Sequence, residues 1–241
     1  MSITSLTGSS DRSFTAGGRT RPLIVRRSAT ARRMRLAVDP RDGRISLTLP
    51  RRAALQPALD WAESQRPWIE AALAKTAAPR PLGDGTTLPF RGEMLTIRVA
   101  GGARAVRVSG DQLLVGGPAE MVGARVLRWL REQARIVLEA ETRRFAGKAG
   151  VTVGRVRIGD PRSRWGSCSS GGDIAYSWRL ILAPPAVLEA TVAHEVGHRL
   201  HMDHSPAFHA AVEALLGRDP RAERTWLRTR GAGLHAIGRT D

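Results

Sequence analysis

Two histidines and a glutamate lie close together in the segment His194-Glu195-Val196-Gly197-His198. Residues i and i+4 share one face of an α-helix, so both imidazoles can bind a single zinc ion. Zinc lowers the pKa of a bound water molecule to about 7, and a glutamate beside it can take the proton as a general base. The H-E-x-x-H motif therefore predicts a zinc site with His194 and His198 as ligands and Glu195 as catalytic base. The alternative is a helix with two surface histidines.

A catalytic zinc ion needs a third protein ligand and an open coordination position, and three histidines follow the motif. His201 is on the same helix face but about 10 Å further along the axis, so we expect it to be solvated. His209 is expected one turn into the next helix, facing elsewhere. Ser205-Pro206 is typical of a helix stop followed by a new helix N-terminus. The bend that this pair predicts returns His204 towards the metal, and we predict His204 as the third ligand.

The chain resembles the YgjP-like metallopeptidase family, which is related to the SprT-like zinc peptidases, in three stretches: H-E-V-G-H-R-L-H-M-D-H-S-P-A-F, S-R-W-G-S-C-S and S-W-R-L-I-L-A-P-P. The arginine-rich strands near the N-terminus are also similar to that family. The resemblance implies a zincin-like domain that hydrolyses peptide bonds with one zinc ion, held by the three predicted histidines. Two positions depart from the family's pattern: His209, where an aromatic residue is frequent, and Ala190, where tyrosine is frequent.

A segment upstream of the motif contains candidate substrate-binding residues. In such a peptidase an extended strand beside the active-site helix binds the substrate backbone by strand addition. We expect Trp165 and Gly166 to lie in that edge, with Gly166 allowing close approach. Arg164 offers a cation to an oxyanion or a carboxylate, and Tyr176 offers a hydrogen bond to the tetrahedral intermediate. The alternatives are that Trp165 packs in the core and that Tyr176 is a half-buried strand residue. Cys168 is expected to be a buried thiol rather than a fourth ligand.

The distribution of apolar residues predicts an α+β fold, in which a strand-rich N-terminal region precedes a zincin-like domain whose active-site helix packs on a small sheet. Strands are predicted at 23–25, 34–38, 45–49, 95–99, 106–108, 113–115, 151–158 and 174–178, and helices at 55–75, 118–148 and from 185 onward. The predicted organisation is a flexible tail (1–20), a basic strand and helix region (21–78), a strand-rich segment (79–117) and the zincin-like domain (118–241). Residues 76–85 are the best linker candidate, and no internal repeat is evident.

Composition restricts the class of protein. Apolar residues are 42% of the 241 positions, which excludes wholesale disorder and fibrous architecture. The chain has one cysteine, Cys168, so no internal disulfide can form. It contains no long uncharged apolar stretch and no apolar run of the signal-peptide type at its N-terminus. Together these features predict a cytoplasmic protein without a membrane span.

The positive charge is concentrated near the N-terminus. The net charge is +16, and residues 19–52 hold eleven arginines against two aspartates. Such a segment can meet nucleic acid, an anionic membrane surface or an acidic protein, although no aromatic residue is interleaved for base stacking. Arginine-favouring codons and a charged, solvated edge strand are the alternatives. The rival hypothesis is therefore a nucleic-acid-associated protein with a structural zinc, or a DNA-guided peptidase. The sequence predicts no oligomeric state.

Overall fold

The computed structural model describes residues 4–5, 12–16, 18–101 and 105–240. The chain forms two compact units, Met1–Pro79 and Arg80–Asp241. Both units combine helices and strands, so the predicted α+β class is confirmed. Within the described ranges, no helix is both long enough and apolar enough to cross a membrane.

The first unit is a sheet with two helices packed on one face. Its strands are β1 (Thr4–Ser5), β2 (Arg12–Ala16), β3 (Arg19–Ser28), β4 (Arg35–Val38) and β5 (Ile45–Pro50), and its helices are α1 (Leu55–Ser64) and α2 (Arg66–Ala74). The strand order is β1-β2-β3-β5-β4, with β3 and β5 parallel. Because alternate side chains of a strand share one face, Ile45, Leu47 and Leu49 are all buried, in one core with Leu59 and Ile69.

The predicted flexible tail, residues 1–20, lies partly outside the described residues. Within the described part the prediction was wrong, because Arg12–Ala16 is a strand that pairs with β3. Phe14 is fully buried, and the guanidinium of Arg66 lies 4.6 Å from its ring centroid. A single apolar anchor among serine, threonine and glycine residues has no recognisable strand period, which is why the sequence indicated a tail.

The described residues of the second unit form two sheets and four α-helices around one core. The larger sheet is formed by β6 (Thr87–Phe90), β7 (Glu93–Ala100), β8 (Val106–Ser109) and β9 (Gln112–Gly116), in the order β6-β7-β9-β8. The smaller sheet is formed by β10 (Val156–Gly159), β11 (Gly166–Cys168) and β12 (Ile174–Ser177), in the order β10-β12-β11. The helices are α3 (Val122–Ala149), α4 (Pro185–Gly197), α5 (Pro206–Leu216) and α6 (Arg221–Leu234).

Two details of this unit differ from the sequence-based expectation. Segment 79–117 was predicted as separate from 118–241, but Leu95, Ile97 and Leu113 belong to the same core as α3 and α4. Strand β6 was not predicted, because it is short and contains Pro89, which is tolerated at a sheet edge.

The two larger sheets share one topology, although no repeat was evident from the sequence. Apart from β1, which only the first sheet has, two antiparallel pairs are joined through parallel inner strands, β3 with β5 and β7 with β9, and a helix follows the last strand.

Candidate metal centre

Helix α4 carries His194 and Glu195 through the interior of the second unit. Pro185 lies in its first turn. Proline is tolerated there because the backbone N–H groups of the first turn have no partner within the helix. Nine residues of α4 are buried, so the helix is held on several sides rather than along one stripe. His198 follows as the C-cap residue, with the backbone still in the right-handed helical region. The predicted helical placement of the H-E-x-x-H motif is therefore confirmed.

The chain then reverses and begins α5 at the predicted position. Ser205 is the N-cap residue of α5, and its Oγ accepts a hydrogen bond from the backbone N–H of Phe208 at 3.3 Å. Asp203 Oδ1 accepts a hydrogen bond from the Ser205 hydroxyl at 2.9 Å. Gly217 ends the helix in the left-handed conformation. This cap holds the bend that brings His204 next to α4.

Three imidazoles converge as a result. One ring nitrogen from each of His194, His198 and His204 lies within 4.8 Å of the others. The Nε2 atoms of His194 and His204 are 3.3 Å apart. Two nitrogens that bind one tetrahedral zinc ion at about 2.0–2.1 Å are separated by about 3.4 Å. The cluster therefore has a donor type that zinc accepts, and the separation of its His194 and His204 nitrogens is close to that expected on one zinc ion.

Neighbouring groups orient the rings. His198 Nδ1 lies 3.2 Å from the backbone carbonyl oxygen of His201. With Nδ1–H as donor, this hydrogen bond leaves Nε2 available as the metal ligand, an arrangement typical of metal-binding histidines. His201 thus contributes its carbonyl, and its ring is outside the cluster. Phe208 is fully buried beneath the rings, and its ring stacks on His198 with a centroid separation of 4.5 Å.

The imidazoles of His194 and His198 are held in the neutral form. Burial and the nearby rings of His198 and His204 lower the pKa of His194 to about 4. Burial also lowers the pKa of His198. A histidine binds metal through a neutral ring nitrogen, so the environment favours the protonation state that a ligand needs.

Glu195 lies beside the cluster and is 5% exposed. Burial raises the pKa of its carboxyl to about 7, and the positive charge of the exposed Arg164 opposes this rise. A carboxyl group with a pKa near neutrality can both accept and release a proton at neutral pH. A Cβ atom on Gly166 would lie only 2.5 Å from Glu195 Oε1. The glycine therefore allows close approach, as predicted, but the group that approaches is Glu195.

A family model described as YgjP-like, metallopeptidase domain, matches residues 32–230. The chain belongs to the YgjP-like metallopeptidase family. No curated protein and no solved structure gives a significant match. The suspected family is confirmed, and the match extends into both compact units.

Two residues singled out in the sequence lie elsewhere in this YgjP-like domain than expected. Tyr176 is fully buried in the core, and its hydroxyl is hydrogen-bonded to Thr142 Oγ1 at 3.1 Å. It cannot contact a substrate, so the prediction of a substrate-binding tyrosine was wrong. Cys168 is half-buried, and its thiol donates to the carbonyl of Ser169 at 3.4 Å. Within the described residues, only the three histidines form a possible metal-binding group.

Trp165 and His209 border a cavity of about 270 Å³ beside the cluster of this YgjP-like protein. Gly166, His194 and Glu195 line the same cavity. His209 was expected to face elsewhere and instead lines this wall, because α5 passes close to α4. Its ring centroid is 6.4 Å from that of His204, and His209 is outside the group of three converging imidazoles.

Sequence reasoning missed two residues that shape the centre. A Cβ atom on Gly197 would lie 2.7 Å from Val212 Cγ2 and 3.3 Å from Phe208 Cε2, so only glycine allows α5 this close to α4. Phe208 forms the apolar base under the imidazoles. Gly197 is the last residue of α4. The glycine directly before the second histidine of the motif was the available sequence signal for close packing.

Proposed function

We propose that this YgjP-like protein is a zinc-dependent peptidase. His194, His198 and His204 hold one zinc ion, and Glu195 is the general base. The observation that carries the proposal is the convergence of three imidazole nitrogens beside a buried carboxyl group. A structural zinc normally has four protein ligands, whereas the described residues supply a group of three. That difference favours a catalytic ion over a structural one.

The residues around the site have separate roles. Bound zinc would supply a Lewis acid and lower the pKa of water in its open coordination position. Glu195 accepts a proton when the peptide carbonyl is attacked and delivers it to the departing amine, which suits a carboxyl pKa of about 7. Arg164, close enough to act on that carboxyl, offers positive charge to the substrate. Strand β11 lies at the edge of its sheet, where an extended peptide can add as a further strand.

Metal analysis of purified protein tests the ligand set. We expect about one zinc per wild-type chain, and a large loss of zinc in His204→Ala. His201→Ala is the matched control, because the His201 contact with His198 uses a backbone carbonyl that the substitution leaves in place. Equal loss of zinc from both variants would contradict the ligand assignment.

Peptide hydrolysis tests the base. Glu195→Gln should keep its zinc and lose activity by on the order of 10²–10⁴-fold, the usual contribution of a positioned general base. Full activity in this variant, with zinc bound, would refute the role of Glu195.

A second candidate function, nucleic-acid binding, is favoured by the distribution of charge in the first unit. Seven exposed arginines lie at the end of the sheet where β3 and β5 finish and β4 begins: Arg26, Arg27, Arg32, Arg33, Arg35, Arg51 and Arg52. We call them the arginine patch. Arg26 and Arg35 flank Thr48 in one row across three strands. Both aspartates of this segment, Asp39 and Asp42, are in the turn at the opposite end.

No ion pair between the arginine patch and an acidic side chain occurs within the described residues. Phosphates are the partners that such guanidinium groups fit best. Wild-type protein should bind duplex DNA with a steep salt dependence, and Arg32→Ala with Arg33→Ala should reduce the slope by about 0.9 per lost phosphate contact. The control is loss of two exposed arginines of the second unit, Arg107 and Arg143. No binding at low salt would remove this candidate, and the cytoplasmic location stays a prediction.

A further inference from the structure

The cavity beside the metal centre extends along α4. Val187, Ala190 and Thr191 line it together with His194 and Glu195. These positions fall on one helix face, because their spacing follows the helical period. The distance from Glu195 back to Val187 is about 12 Å along the helix axis. The cavity therefore begins at the reactive carboxyl group and continues away from it for about two helical turns.

The far end of the cavity is closed by the start of α6. Arg218 donates hydrogen bonds to the Ala186 carbonyl at 3.4 Å and to Glu223 Oε1 at 2.9 Å. Glu223, which lines the cavity, is thus held near the N-terminal end of α4, away from Glu195. The near end is bounded by Trp165, which packs against Gly231 of α6.

The walls between these ends are mainly apolar. Val187, Ala190, Val212 and Leu227 contribute hydrocarbon, and Trp165 contributes an aromatic ring. Among the polar groups of the wall, the Thr191 hydroxyl donates to the Val187 carbonyl and Glu223 Oε1 accepts from Arg218. Glu223 Oε2 is buried without a hydrogen-bond partner among the described residues, and His209 and Arg224 also line the cavity. Protein interiors are close-packed, so an apolar cavity of about 270 Å³ next to the reactive groups has the character of a ligand site.

Ala190 determines how much of this space is open. It lies one turn before His194, lines the cavity and is 5% exposed. Its methyl group is the smallest side chain in the middle of the α4 wall. Because Ala190 lines the cavity, a larger side chain at this position would project into it and reduce the open space.

We propose that this cavity binds a large apolar or aromatic side chain of the peptide substrate, on a residue adjacent to the scissile bond, and that Ala190 sets the accepted size. The proposal rests on the proposed peptidase function for the reaction, while the cavity itself is a feature of the structure. The substrates are therefore peptides with residues such as phenylalanine, leucine or methionine next to the cleaved bond.

Cleavage profiling of a peptide library by the zinc-loaded full chain tests the proposal. Wild type should prefer large apolar residues beside the cleaved bond. Ala190→Phe and the milder Ala190→Leu should lower kcat/KM for the phenylalanine peptide at least about 30-fold, with little change for the alanine peptide. Ala214→Phe is the matched control, because it adds the same side chain at an exposed position of α5. Thermal unfolding and zinc content establish that each variant is folded and loaded.

Binding of 4-fluorotoluene, followed by fluorine NMR, supplies a readout that does not require turnover. Wild type and Ala214→Phe should bind this probe, and both Ala190 variants should not. If no peptide is cleaved, the peptidase function fails, and probe binding alone decides whether the apolar site stands. A wild-type preference for lysine or arginine, which would point to Glu223 instead, overturns the proposal. Equal loss for all peptides in folded, zinc-loaded Ala190→Leu, or absence of probe binding in wild type, also overturns it.

Discussion

Replacement of Gly166 by alanine should separate catalysis from metal binding. The new Cβ atom would lie 2.5 Å from Oε1, 2.6 Å from Cγ and 2.7 Å from Cδ of Glu195. Normal van der Waals separations are about 3.5 Å, so the carboxyl group must move by about 1 Å. A misplacement of that size costs on the order of 100-fold in rate. We therefore expect kcat/KM to fall about 100-fold in Gly166→Ala.

The same variant should keep its zinc, because Gly166 is next to Glu195 and not among the converging ligands. Gly159→Ala is the control: it lies in strand β10, and its new Cβ would meet only Pro161 Cδ, at 3.9 Å. The assay combines kcat/KM on one peptide with zinc content and thermal unfolding of each variant. Activity of Gly166→Ala within threefold of wild type would refute the inference that Gly166 positions the base. Loss of zinc together with activity would show that the position of Glu195 and metal binding by the histidines cannot be separated.

Three further changes probe the supports of the site. Ser205→Ala removes the N-cap of α5, so we expect the unfolding free energy to fall by about 1 kcal/mol and zinc to bind more weakly. Denaturation measures the first effect, and competition with a chelator measures the second. Unchanged values would contradict a role for the cap in placing His204. Arg179→Met breaks a part-buried ion pair with Asp160 and buried hydrogen bonds to two backbone carbonyls. It should lower the unfolding free energy by about 1–3 kcal/mol, and a loss below about 1 kcal/mol would show that these contacts are weak. Removal of zinc by a chelator should lower the melting temperature, which returns when zinc is restored.

The parts of the site that follow local rules could be predicted from the sequence. The spacing of His194 and His198 requires only helical periodicity, and Pro185 lies where a helix can begin. The placement of His204 follows from Ser205 and Pro206, because capping and proline sterics act over a few residues. The same local reasoning predicted most strands and the long helix α3.

The parts that depend on contacts between distant segments could not be predicted. Tyr176 has the chemistry of an active-site donor, yet its strand turns it towards Thr142 on α3. The approach of Gly166 to Glu195 depends on how β11 packs against α4, and His209 lines the cavity because α5 lies close to α4. None of these distances is encoded in a short window of residues.

Gly166 in β11 and Gly197 at the end of α4 therefore position different parts of the centre, and their variants should differ in kind. Alanine at Gly166 acts on the base, whereas alanine at Gly197 acts on Val212 and Phe208, beneath the imidazoles. Gly197→Ala gains about 1 kcal/mol of helix propensity but incurs an overpacking cost of about 1–3 kcal/mol, so we expect a net loss of stability and about tenfold weaker zinc binding. Turnover per bound zinc should stay near wild type, measured at saturating zinc. A Gly197→Ala protein that keeps full zinc affinity but loses turnover would show that one packing network controls both ligands and base.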